Sequence, residues 1–584
     1  MLINLKKEIE DLLCSYFEIN RNLIEFQKTR KEFEGDITLV VFPLVKRLKK
    51  SPEIISKEVG NLLAERLTYI KSYNVINGFL NILISNEFWI DSIIDISKEE
   101  SFGIKKSEPS SETTLVEFSS PNTNKPLHLG HIRNIALGDS ISRIIEATGK
   151  NVKRVQIIND RGIHICKSML AWQLFGNGET PKSSSIKGDF LVGKYYVKFE
   201  EEYQKEISNL KNQGFSDKQS KENSNLIKSA KELLLKWESG DKEVRNLWSK
   251  MNQWVYTGFN ETYKMLGISF DKNYFESNTY LLGKDVIDYG LKKNIFLREK
   301  DNSVWIDLTD FGLDKKLLLR SDGTAVYITQ DIGTAIQRFK DYSFSEMVYT
   351  VGNEQNYHFD VLFKILKKLN YKWANKCHHL SYGMVDLPDG KMKSREGKVV
   401  DADDLINHMI NSSVEISNQL NKQNCLKIQD HKKIGLAALK YFLLRVDAKK
   451  NMMFDPRESI DFNGNTGPFI LYTYARIKSL IRKNKEKIDI NINSIKLNEL
   501  EKDLIKKILD FPMTILESAR SFNPSLICNY TFEIVKIYNS YYQNNEILVD
   551  ELNIRSFRLT ISIEVSKIIK SSCKLLGFDV LEKM

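Results

Sequence analysis

The sequence predicts an α/β protein built around a parallel sheet, with a small α+β domain before the sheet and an all-α domain after it. In the middle of the 584-residue chain, strand patterns alternate with helix patterns. Such alternation is typical of a parallel sheet that carries its site at the carboxyl ends of the strands. Two strand-like runs among amphipathic helices precede this region, and helical patterns alone follow it.

Residues 1–105 are expected to form the small α+β domain. The strand-like runs ITLVVF and VINGFLNILIS accompany helical apolar spacing at residues 6–17 and 52–67. The polar stretch KKSEPSSET, residues 105–113, follows them and has the composition of a linker. We therefore place a domain boundary in this stretch.

Residues 112–431 are expected to form the parallel-sheet domain. The strand pattern TTLVEFSS leads into the helix pattern HIRNIALGDSISRIIEATG, which Gly149 is well placed to end, and then into the strand pattern VKRVQII. Later, EMVYTVG is followed by a helix with its apolar residues on one face and by the strand-like HHLSYGMV. This order of elements is the one that a parallel sheet requires.

A stretch rich in lysine and glutamate, at about residues 176–254, interrupts the alternation and is expected to be a mostly helical insertion with solvated charge. It contains GDFLVGKY, residues 188–195, which copies most of a phosphate-binding P-loop. Tyr195 stands where that loop needs a Ser or Thr for Mg²⁺. We therefore interpret the string as part of the insertion.

Residues 432–584 are expected to form the all-α domain, because helical patterns such as GLAALKYFLLRV dominate there. The net charge of +10, from 86 basic and 76 acidic residues, permits a polyanionic partner. The six cysteines include no C-x-x-C pair, no apolar run approaches the roughly 18 residues of a membrane span, and the early acids oppose a signal peptide. A cytoplasmic protein without membrane contact is expected.

The segment SSPNTNKPLHLGHIRN, residues 119–134, lies between a strand pattern and a helix pattern. Unpaired main-chain N–H groups and the helix dipole make such a position favourable for an anion. His128 and His131 add hydrogen-bond donors there, and Gly130 allows a flat ring or a phosphate to approach the main chain closely. Two histidines three residues apart can also simply cap a helix, so the pair alone leaves the function open.

A second basic segment, LPDGKMKSREG at residues 387–397, follows the last strand predicted for the sheet. Lys391, Lys393 and Arg395 lie on a loop flanked by glycines. Such a loop can close over a triphosphate and stabilise charge that develops at phosphorus. An isolated basic loop is more often solvated surface, so this segment alone also leaves its function open.

Together the two segments resemble the ATP signatures of class I arginyl-tRNA synthetases. S-P-N-x-x-K-P-x-H-x-G-H is similar to the arginine-specific form of the H-x-G-H motif, and KMKS is similar to the start of K-M-S-K-S. The usual second lysine of that loop is replaced by Ser394, with Lys393 one position earlier. In many members of the family a lysine just before H-x-G-H is thought to compensate, and Lys125 occupies that position here.

The resemblance runs nearly end to end. GDITLVVFPLVKRLKKSPE looks like the family's extra N-terminal domain, which contacts the tRNA elbow, and NTGPFILYTYARIKSLIRK resembles the entry to its helical anticodon-binding domain. The resemblance implies a Rossmann-like catalytic domain that activates arginine with ATP to arginyl-adenylate and transfers arginine to the 3′-terminal adenosine of tRNA(Arg). Mg²⁺ is expected to arrive with ATP, no protein metal site is expected, and the protein is expected to be a monomer.

Site residues follow from the same resemblance. The expected catalytic residues are His128, His131, Lys125, Lys391 and Lys393. The expected ATP contacts are Gly130, Gly352, His358 and Met392. The expected arginine contacts are Asn122, Asn159, Glu276, Tyr327, Asp331 and Gln355. Weaker candidates for contact with unpaired tRNA bases are Tyr472, Arg476 and Tyr541.

Carboxylates are expected among the arginine contacts because they match the planar fork of a guanidinium. Taken singly, Glu276 can also be a surface acid, Tyr327 a core residue and Asp331 a helix cap. Two other functions stay open: another H-x-G-H synthetase or adenylyltransferase, and an inactive tRNA-binding relative. These three residues argue against the first alternative, and the intact H-x-G-H with Lys125 argues against the second.

Overall fold

The computed structural model of the protein describes residues 2–30, 32–108, 110–388, 400–419, 426–488, 490 and 495–584. The chain divides into two compact units. The first unit contains residues 1–103, 473–513 and 530–571. The second unit contains residues 104–472, 514–529 and 572–584. The helical region at the end of the sequence therefore contributes to both units.

The first unit contains a four-stranded antiparallel sheet. The elements of its N-terminal segment are α1 Leu2–Phe17, β1 Glu25–Lys28, β2 Ile37–Val40, α2 Phe42–Leu48, α3 Pro52–Arg66, β3 Ile70–Ile76, β4 Phe79–Ile84 and α4 Asn86–Ser97. The strand order of the sheet is β1-β2-β4-β3. Asn77 and Gly78, both with positive φ, form the tight turn between β3 and β4. Asn-Gly is the preferred sequence for such a turn. The predicted α+β character of this segment is confirmed.

The second unit contains most of the remaining elements. Between residues 104 and 266 lie β5 Thr113–Glu117, α5 Leu129–Glu146, β6 Asn151–Ile158, α6 Ile163–Phe175, α7 Pro181–Ser184, α8 Gly188–Asn212, α9 Asp217–Asn223, α10 Asn225–Ser239 and α11 Lys242–Leu266. Between residues 267 and 388 lie β7 Lys272–Phe275, α12 Glu276–Thr279, α13 Lys284–Lys292, β8 Phe296–Arg298, β9 Val304–Ile306, β10 Lys316–Leu319, α14 Tyr327–Tyr342, β11 Glu346–Gly352, α15 Asn356–Lys368, β12 Cys377–Tyr382 and β13 Val385–Asp386.

The last third of the chain is mainly helical and is shared by both units. Its elements are α16 Ala402–Gln419, α17 Ile428–Leu444, β14 Met452–Met453, α18 Pro456–Ser459, α19 Gly467–Lys483, α20 Glu499–Leu509, α21 Phe511–Ser521, α22 Ser525–Asn544 and α23 Leu552–Leu575. Within the first unit, Lys502 and Lys506 form ion pairs of 2.8 and 2.7 Å with the buried carboxylate of Asp36. These pairs connect α20 to the N-terminal segment of that unit.

The sheet of the second unit has the strand order β12-β11-β5-β6-β7, and every pair in it is parallel. Because β5 comes first in the chain, the order runs outward from it through β6 and β7 on one side and through β11 and β12 on the other. This is a doubly wound order with a switch point between β5 and β11. Ligands of such sheets bind outside the carboxyl ends of the strands at that point. The predicted Rossmann-like sheet is confirmed.

Apolar side chains fix this sheet against its helices. Leu115, Val155 and Met347 on its strands are fully buried in one core with residues of α14 and α15. Full burial of a side chain of this size contributes about 1.5–3 kcal/mol. The helix α5 is buried along most of its length. The N-terminus of α5 therefore has a well-determined position above the switch point.

The string GDFLVGKY forms the first two turns of α8, and its first glycine allows close packing against another helix. A Cβ atom on Gly188 would lie 2.1 Å from the main-chain oxygen of Trp254 on α11. A Cβ atom on Gly258, also on α11, would lie 2.3 Å from Oδ1 of Asp189. Glycine at these positions allows α8 and α11 to approach each other closely.

The sequence patterns did not predict a small antiparallel sheet with the order β10-β9-β8. Its strands have only three or four residues each, which is too short for apolar alternation to be recognised. Across the described ranges, no helix combines the length and the apolar character that crossing a membrane requires.

Candidate active site

The turn between β5 and α5 lies at the switch point of the sheet. After Glu117 the chain passes through Ser119 and Ser120, which have φ values of 69° and 45°. The Ser120 hydroxyl donates to the Glu117 carboxylate at 3.1 Å and accepts from the N–H of Ile157 at 3.2 Å. These bonds hold a left-handed conformation that residues other than glycine rarely adopt. They also fix the turn to the neighbouring strand β6.

Asn122 and Asn159 lie opposite each other just beyond the carboxyl ends of β5 and β6. The N–H of Asn159 donates to the oxygen of Pro121 at 2.9 Å, and the N–H of Thr123 donates to the oxygen of Asn159 at 3.0 Å. Asn122 is exposed and Asn159 is half-buried. Two predicted arginine contacts that are distant in the sequence are therefore direct neighbours.

His128 is the N-cap of α5, and its ring and the ring of His131 both bond to the main chain. The N–H of Gly130 donates to Nδ1 of His128 at 3.1 Å, and the N–H of His128 donates to Nδ1 of His131 at 3.1 Å. The two ring centroids are 3.9 Å apart. This arrangement satisfies N–H groups that the start of a helix otherwise leaves unpaired. Because Nδ1 accepts in each ring, a neutral ring carries its proton on Nε2.

Burial keeps both imidazoles neutral. Burial, assisted by the charge of Lys125, lowers the pKa of His128 to about 3. Burial also lowers the pKa of His131 well below its ordinary value, with His128 and Lys125 contributing. The pKa of Lys125 is itself lowered by burial. The result is a pair of uncharged Nε2–H donors at the positive end of a helix dipole, which suits a phosphate oxygen.

The chain that follows the second signature segment pairs with this turn. Hydrogen bonds of 3.2 and 2.9 Å join residues 127–129 to residues 400–402, and His128 lies opposite Asp401 in an antiparallel bridge. The predicted residues Lys391, Met392 and Lys393 of that segment lie outside the described residues. The described chain just after the second signature segment is therefore paired with the first signature segment.

Arg133 bonds to the chain just before the second signature segment and to residues 448 and 450. Its guanidinium donates to the main-chain oxygens of Gly383, Met384, Ala448 and Lys450 at 2.6, 2.9, 3.3 and 2.8 Å. The side chain is fully buried, and burial lowers its pKa to about 10. A guanidinium can bond several carbonyls at once because it has five donors in a fixed fork. The sequence analysis did not identify this residue.

A pocket of about 350 Å³ opens beside the first signature segment, which is within the size range of small-molecule sites. The predicted site residues in its lining are Asn122, Lys125, Asn159 and Tyr327. Polar residues in its lining that the sequence analysis did not name are Asn124, Arg161, His164 and Tyr196. The side chain of Tyr327 is 72 % exposed, so its ring is available to the pocket and does not belong to the core.

Glu276 is a buried carboxyl group near other charges. It is 9 % exposed, so it is not a surface acid. Burial raises the pKa of Glu276 to about 7; the charge of Arg161 opposes this shift, and the charges of Asp160 and Asp331 add to it. A cation that binds beside a buried carboxyl group of raised pKa stabilises its ionised form and lowers that pKa again.

Asp160 determines the position of the chain next to Glu276. Its Oδ1 accepts from the N–H of Ser277 at 2.8 Å, and its Oδ2 accepts from the hydroxyls of Ser277 and Tyr256 at 2.7 and 2.8 Å. Asp160 is 1 % exposed. The sequence patterns did not single out this residue. An acid at the carboxyl end of a parallel strand was the signal that could have identified it.

Three further predicted residues lie at or after the carboxyl end of β11, on the other side of the switch point. They are Gly352, Gln355 and His358. Nε2 of His358 and Oδ2 of Asp331 are 2.7 Å apart, which joins a predicted ATP contact to a predicted arginine contact. Gly352 is the last residue of β11 and is buried. Gln355 precedes α15 and is exposed.

The three predicted tRNA contacts differ in their surroundings. Tyr541 is fully buried, and its hydroxyl donates to the Glu501 carboxylate at 3.5 Å. Arg476 donates to Asn539 at 2.7 Å. Tyr472 is half-buried. The ring of Tyr541 thus packs inside the first unit, as aromatic residues at helical spacing commonly do.

Three family models match the chain. Residues 93–455 match the catalytic domain of the tRNA synthetases class I (R), residues 3–84 match the arginyl tRNA synthetase N terminal domain, and residues 470–584 match the DALR anticodon binding domain. The first match covers more than half of the chain and contains the candidate active site.

Curated relatives and solved structures agree with these matches. An arginine–tRNA ligase of Flavobacterium psychrophilum is 52 % identical over 99 % of each chain, and one of Bacteroides thetaiotaomicron is 50 % identical over 97 % of this chain and 96 % of its own. The fold is similar to that of Thermus thermophilus arginyl-tRNA synthetase, with a TM-score of 0.82 and 22 % identity over 100 % of this chain and 99 % of the other. The chain therefore belongs to the arginyl-tRNA synthetases, the class I enzymes that activate arginine with ATP and attach it to tRNA.

Proposed function

We propose that the enzyme activates arginine at the switch point of its parallel sheet, with the α-phosphate of ATP at the N-terminus of α5 and arginine in the adjoining pocket. The observation that carries this proposal is the bonding of His128 and His131 to the main chain. Each ring is held through Nδ1 and is neutral, so each offers an Nε2–H donor. Donors that are fixed before the reaction stabilise developing charge without reorganising.

In the proposed reaction the arginine carboxylate attacks the α-phosphorus and the bond to pyrophosphate breaks. Arginine then passes from the adenylate to the 3′-terminal adenosine of tRNA(Arg). The protein contributes positioning and charge stabilisation, so no protein nucleophile is needed. The proposed catalytic groups are those of His128, His131, Lys125, Lys391 and Lys393. The proposed ATP contacts are Gly130, Gly352, His358 and Met392.

The arginine side chain is proposed to bind between Glu276, Asp331 and Tyr327, with its α-amino and carboxylate end near Asn122, Asn159 and Gln355. Two facts support this assignment. Glu276 is buried with a pKa near 7, so a guanidinium would restore its charge. Asn122, Asn159 and Tyr327 line one pocket, where they surround a volume suited to an amino acid.

Mg²⁺ is proposed to enter with ATP, bound to its phosphates. The polar side chains of residues 122–131 are two amides, a hydroxyl, a lysine and two histidines bonded through Nδ1, whereas Mg²⁺ prefers carboxylate oxygens. Among the residues that the structure describes, no group of three or more His, Cys, Asp or Glu side chains is arranged to hold a metal ion.

The domains are proposed to divide the recognition of tRNA. Residues 1–105 are proposed to contact the tRNA elbow, and residues 432–584 are proposed to bind the anticodon, with Tyr472 and Arg476 as candidate contacts. The fully buried ring of Tyr541 has no exposed face on which a base could stack, so its predicted tRNA contact is not retained. Residues 112–431, with the insertion at about 176–254, form the proposed catalytic domain. The protein is further proposed to be a cytoplasmic monomer. Light scattering at working concentration should give the mass of one chain, and a dimer mass would contradict this part of the proposal.

Charging of a tRNA pool with each amino acid in turn tests the proposed specificity. Arginine alone should be attached, because Glu276 and Asp331, the carboxylates proposed to bind the side chain, match a planar fork. Lysine should be rejected, since its point charge cannot satisfy such a site. Equal charging with lysine, or better charging with a third amino acid, would contradict the proposed pocket.

A further inference from the structure

A cluster of polar side chains lies where α8, α11 and α16 meet. The ammonium of Lys187 donates to Asp403 at 2.6 Å, to the hydroxyl of Thr262 at 2.6 Å and to Asp189 at 3.3 Å. The Thr262 hydroxyl donates to the other carboxylate oxygen of Asp403 at 2.6 Å. The side chains of Lys187, Asp403 and Asp189 are 15 %, 14 % and 1 % exposed. One lysine thus connects three helices in a place that is largely hidden from water.

This cluster differs from an ordinary surface ion pair, which is screened by water and contributes little. Burial raises the pKa of Asp189 to about 6; Lys187 opposes this shift and Asp403 adds to it. Without the lysine, two carboxylates would face each other in a poorly solvated place. The close approach of Gly258 leaves Asp189 little room to move away. Lys187 therefore determines where Asp403 lies.

Asp403 is directly connected to the signature turn. It lies in the first turn of α16 and follows residues 400–402, which pair with residues 127–129. His128 is the residue opposite Asp401 in that pairing. A shift of Asp403 therefore moves residues 400–402, the segment that pairs with the His128 turn.

The helix α8 also contacts the signature turn directly. A Cβ atom on Gly193 would lie 2.8 Å from Cδ of Pro126, so the helix and the turn are in close contact at this point. Lys187 is the N-cap residue of the same helix. The insertion thus contacts the signature turn through Gly193. Through Lys187 and Asp403 it also contacts the helix that follows residues 400–402, which pair with the turn.

We propose that Lys187 and Asp403 are positioning residues for the activation of arginine: they hold residues 400–402, and through them the His128 turn, in the place where the α-phosphate binds. This inference rests on the proposed role of His128 and His131 in ATP activation. Neither Lys187 nor Asp403 lines the pocket beside the signature turn. The helical insertion, which contains Lys187, would thereby hold the catalytic turn in position.

The test compares Lys187→Met and Lys187→Arg with the parent enzyme in arginine-dependent ATP–pyrophosphate exchange in the presence of tRNA. Lys187→Met should lower kcat by up to about 100-fold and raise the KM for ATP, because small misplacements of a catalytic turn have effects of this size. The KM for arginine and the affinity for tRNA should stay at the parent values. Lys187→Arg should recover part of kcat, since it retains the charge.

Lys205→Met is the matched control. Lys205 lies on the same helix and forms a 2.8 Å ion pair with Glu202, but its side chain is 66 % exposed. Its removal should leave exchange unchanged. If Lys187→Met does not fold, Asp403→Asn replaces it in the test, because Lys187 then retains Asp189 as a partner. Asp403→Asn should likewise lower kcat and raise the KM for ATP while the KM for arginine stays at the parent value.

Equal kcat values for Lys187→Met and Lys205→Met would overturn the inference. So would a rise in both KM values together with a fall in Tm, since this pattern indicates a general loss of structure. His128→Ala in the same series separates the two proposals. If that variant remains fully active, the proposed active site is wrong. If it is inactive while Lys187→Met is normal, only the positioning inference is wrong.

Discussion

The main-chain N–H of His128 donates to Nδ1 of His131 at 3.1 Å. This bond fixes the tautomer of a neutral His131, with its proton on Nε2. The N–H of Gly130 fixes His128 in the same way. The first signature therefore acts through donors of known position rather than through two positive charges.

Replacing His128 or His131 by Ala should lower the rate of arginyl-adenylate formation by roughly 100- to 1000-fold, the effect of removing one fixed donor to developing charge. The affinity for tRNA should remain close to normal. Pre-steady-state activation measures the rate. His408→Ala, a change at an exposed histidine on α16, is the control and should behave like the parent. Unchanged rates in both site variants would refute the assignment.

The low pKa values of the two histidines predict a loss of stability in acid. An unfolded imidazole titrates near 6.5, whereas folded His128 stays neutral to about pH 3. Because the unfolded chain then binds protons that the folded chain does not, this contribution is fully present above pH 6.5 and is lost as the pH falls towards 3. The urea midpoint of the parent should fall between neutral and acid pH more than that of His128→Asn, which lacks the imidazole. The difference between the two midpoints should therefore shrink as the pH falls. A constant difference between them would contradict this prediction.

Glu276 predicts a pH dependence for arginine binding. Because its pKa is raised to about 7, protonation competes with the guanidinium below that pH, and the KM for arginine should rise by up to about tenfold for each pH unit. Glu276→Gln should give a high KM that does not vary with pH. Glu261→Gln, at an exposed position of α11, should retain the parent profile. A parent KM that is flat across neutral pH would count against this role.

Lys125→Ala should strongly reduce ATP–pyrophosphate exchange, because Ser394 stands where the usual second lysine of the loop would be. Loss of one contact to transition-state charge lowers the rate by about 100-fold or more. In the parent, we expect exchange to depend on cognate tRNA. Lys242→Ala, at an exposed position, serves as the control. A fully active Lys125→Ala enzyme would show that the compensating charge lies elsewhere, and robust parent exchange without tRNA would contradict the tRNA requirement.

Arg133→Lys should destabilise the protein although the charge is retained. A lysine has three donors on one nitrogen and cannot reach the four carbonyls that Arg133 bonds. The oxygens of Met384 and Ala448 also accept from the N–H groups of Met452 and Gly383, so the loss falls mainly on the oxygens of Gly383 and Lys450. A buried carbonyl left without a partner costs about 1–3 kcal/mol. Thermal unfolding should show a lower Tm, and Arg143→Lys, on the same helix but partly exposed, should show a smaller change. Equal changes in the two variants would contradict the bracing role of Arg133.

The sheet and the signature turn could be predicted because their signals are local. A strand pattern, a helix pattern and Gly149 as the end of that helix define one β-turn-α unit in the sequence. Glu276 and Asp331 had no local signal beyond being acids, and only the resemblance to a family assigned them. The structure adds the physical reason for singling out Glu276, which is its burial.

The supporting residues could not be predicted because their partners are distant in the chain. Arg133 bonds to the oxygen of Gly383, 250 residues away, and Lys187 bonds to Asp403, 216 residues away. In the sequence each is an ordinary charged residue of a helical region. The short strands β8, β9 and β10 were not predicted for another reason: three or four residues are too few to show an apolar alternation.

A crystal structure with arginine and a non-hydrolysable ATP analogue tests the central claim most directly. The account predicts that the α-phosphate lies within hydrogen-bond distance of Nε2 of His128 and His131, and that the guanidinium contacts Glu276. A nucleotide bound away from the N-terminus of α5, or a guanidinium that contacts neither Glu276 nor Asp331, would contradict it.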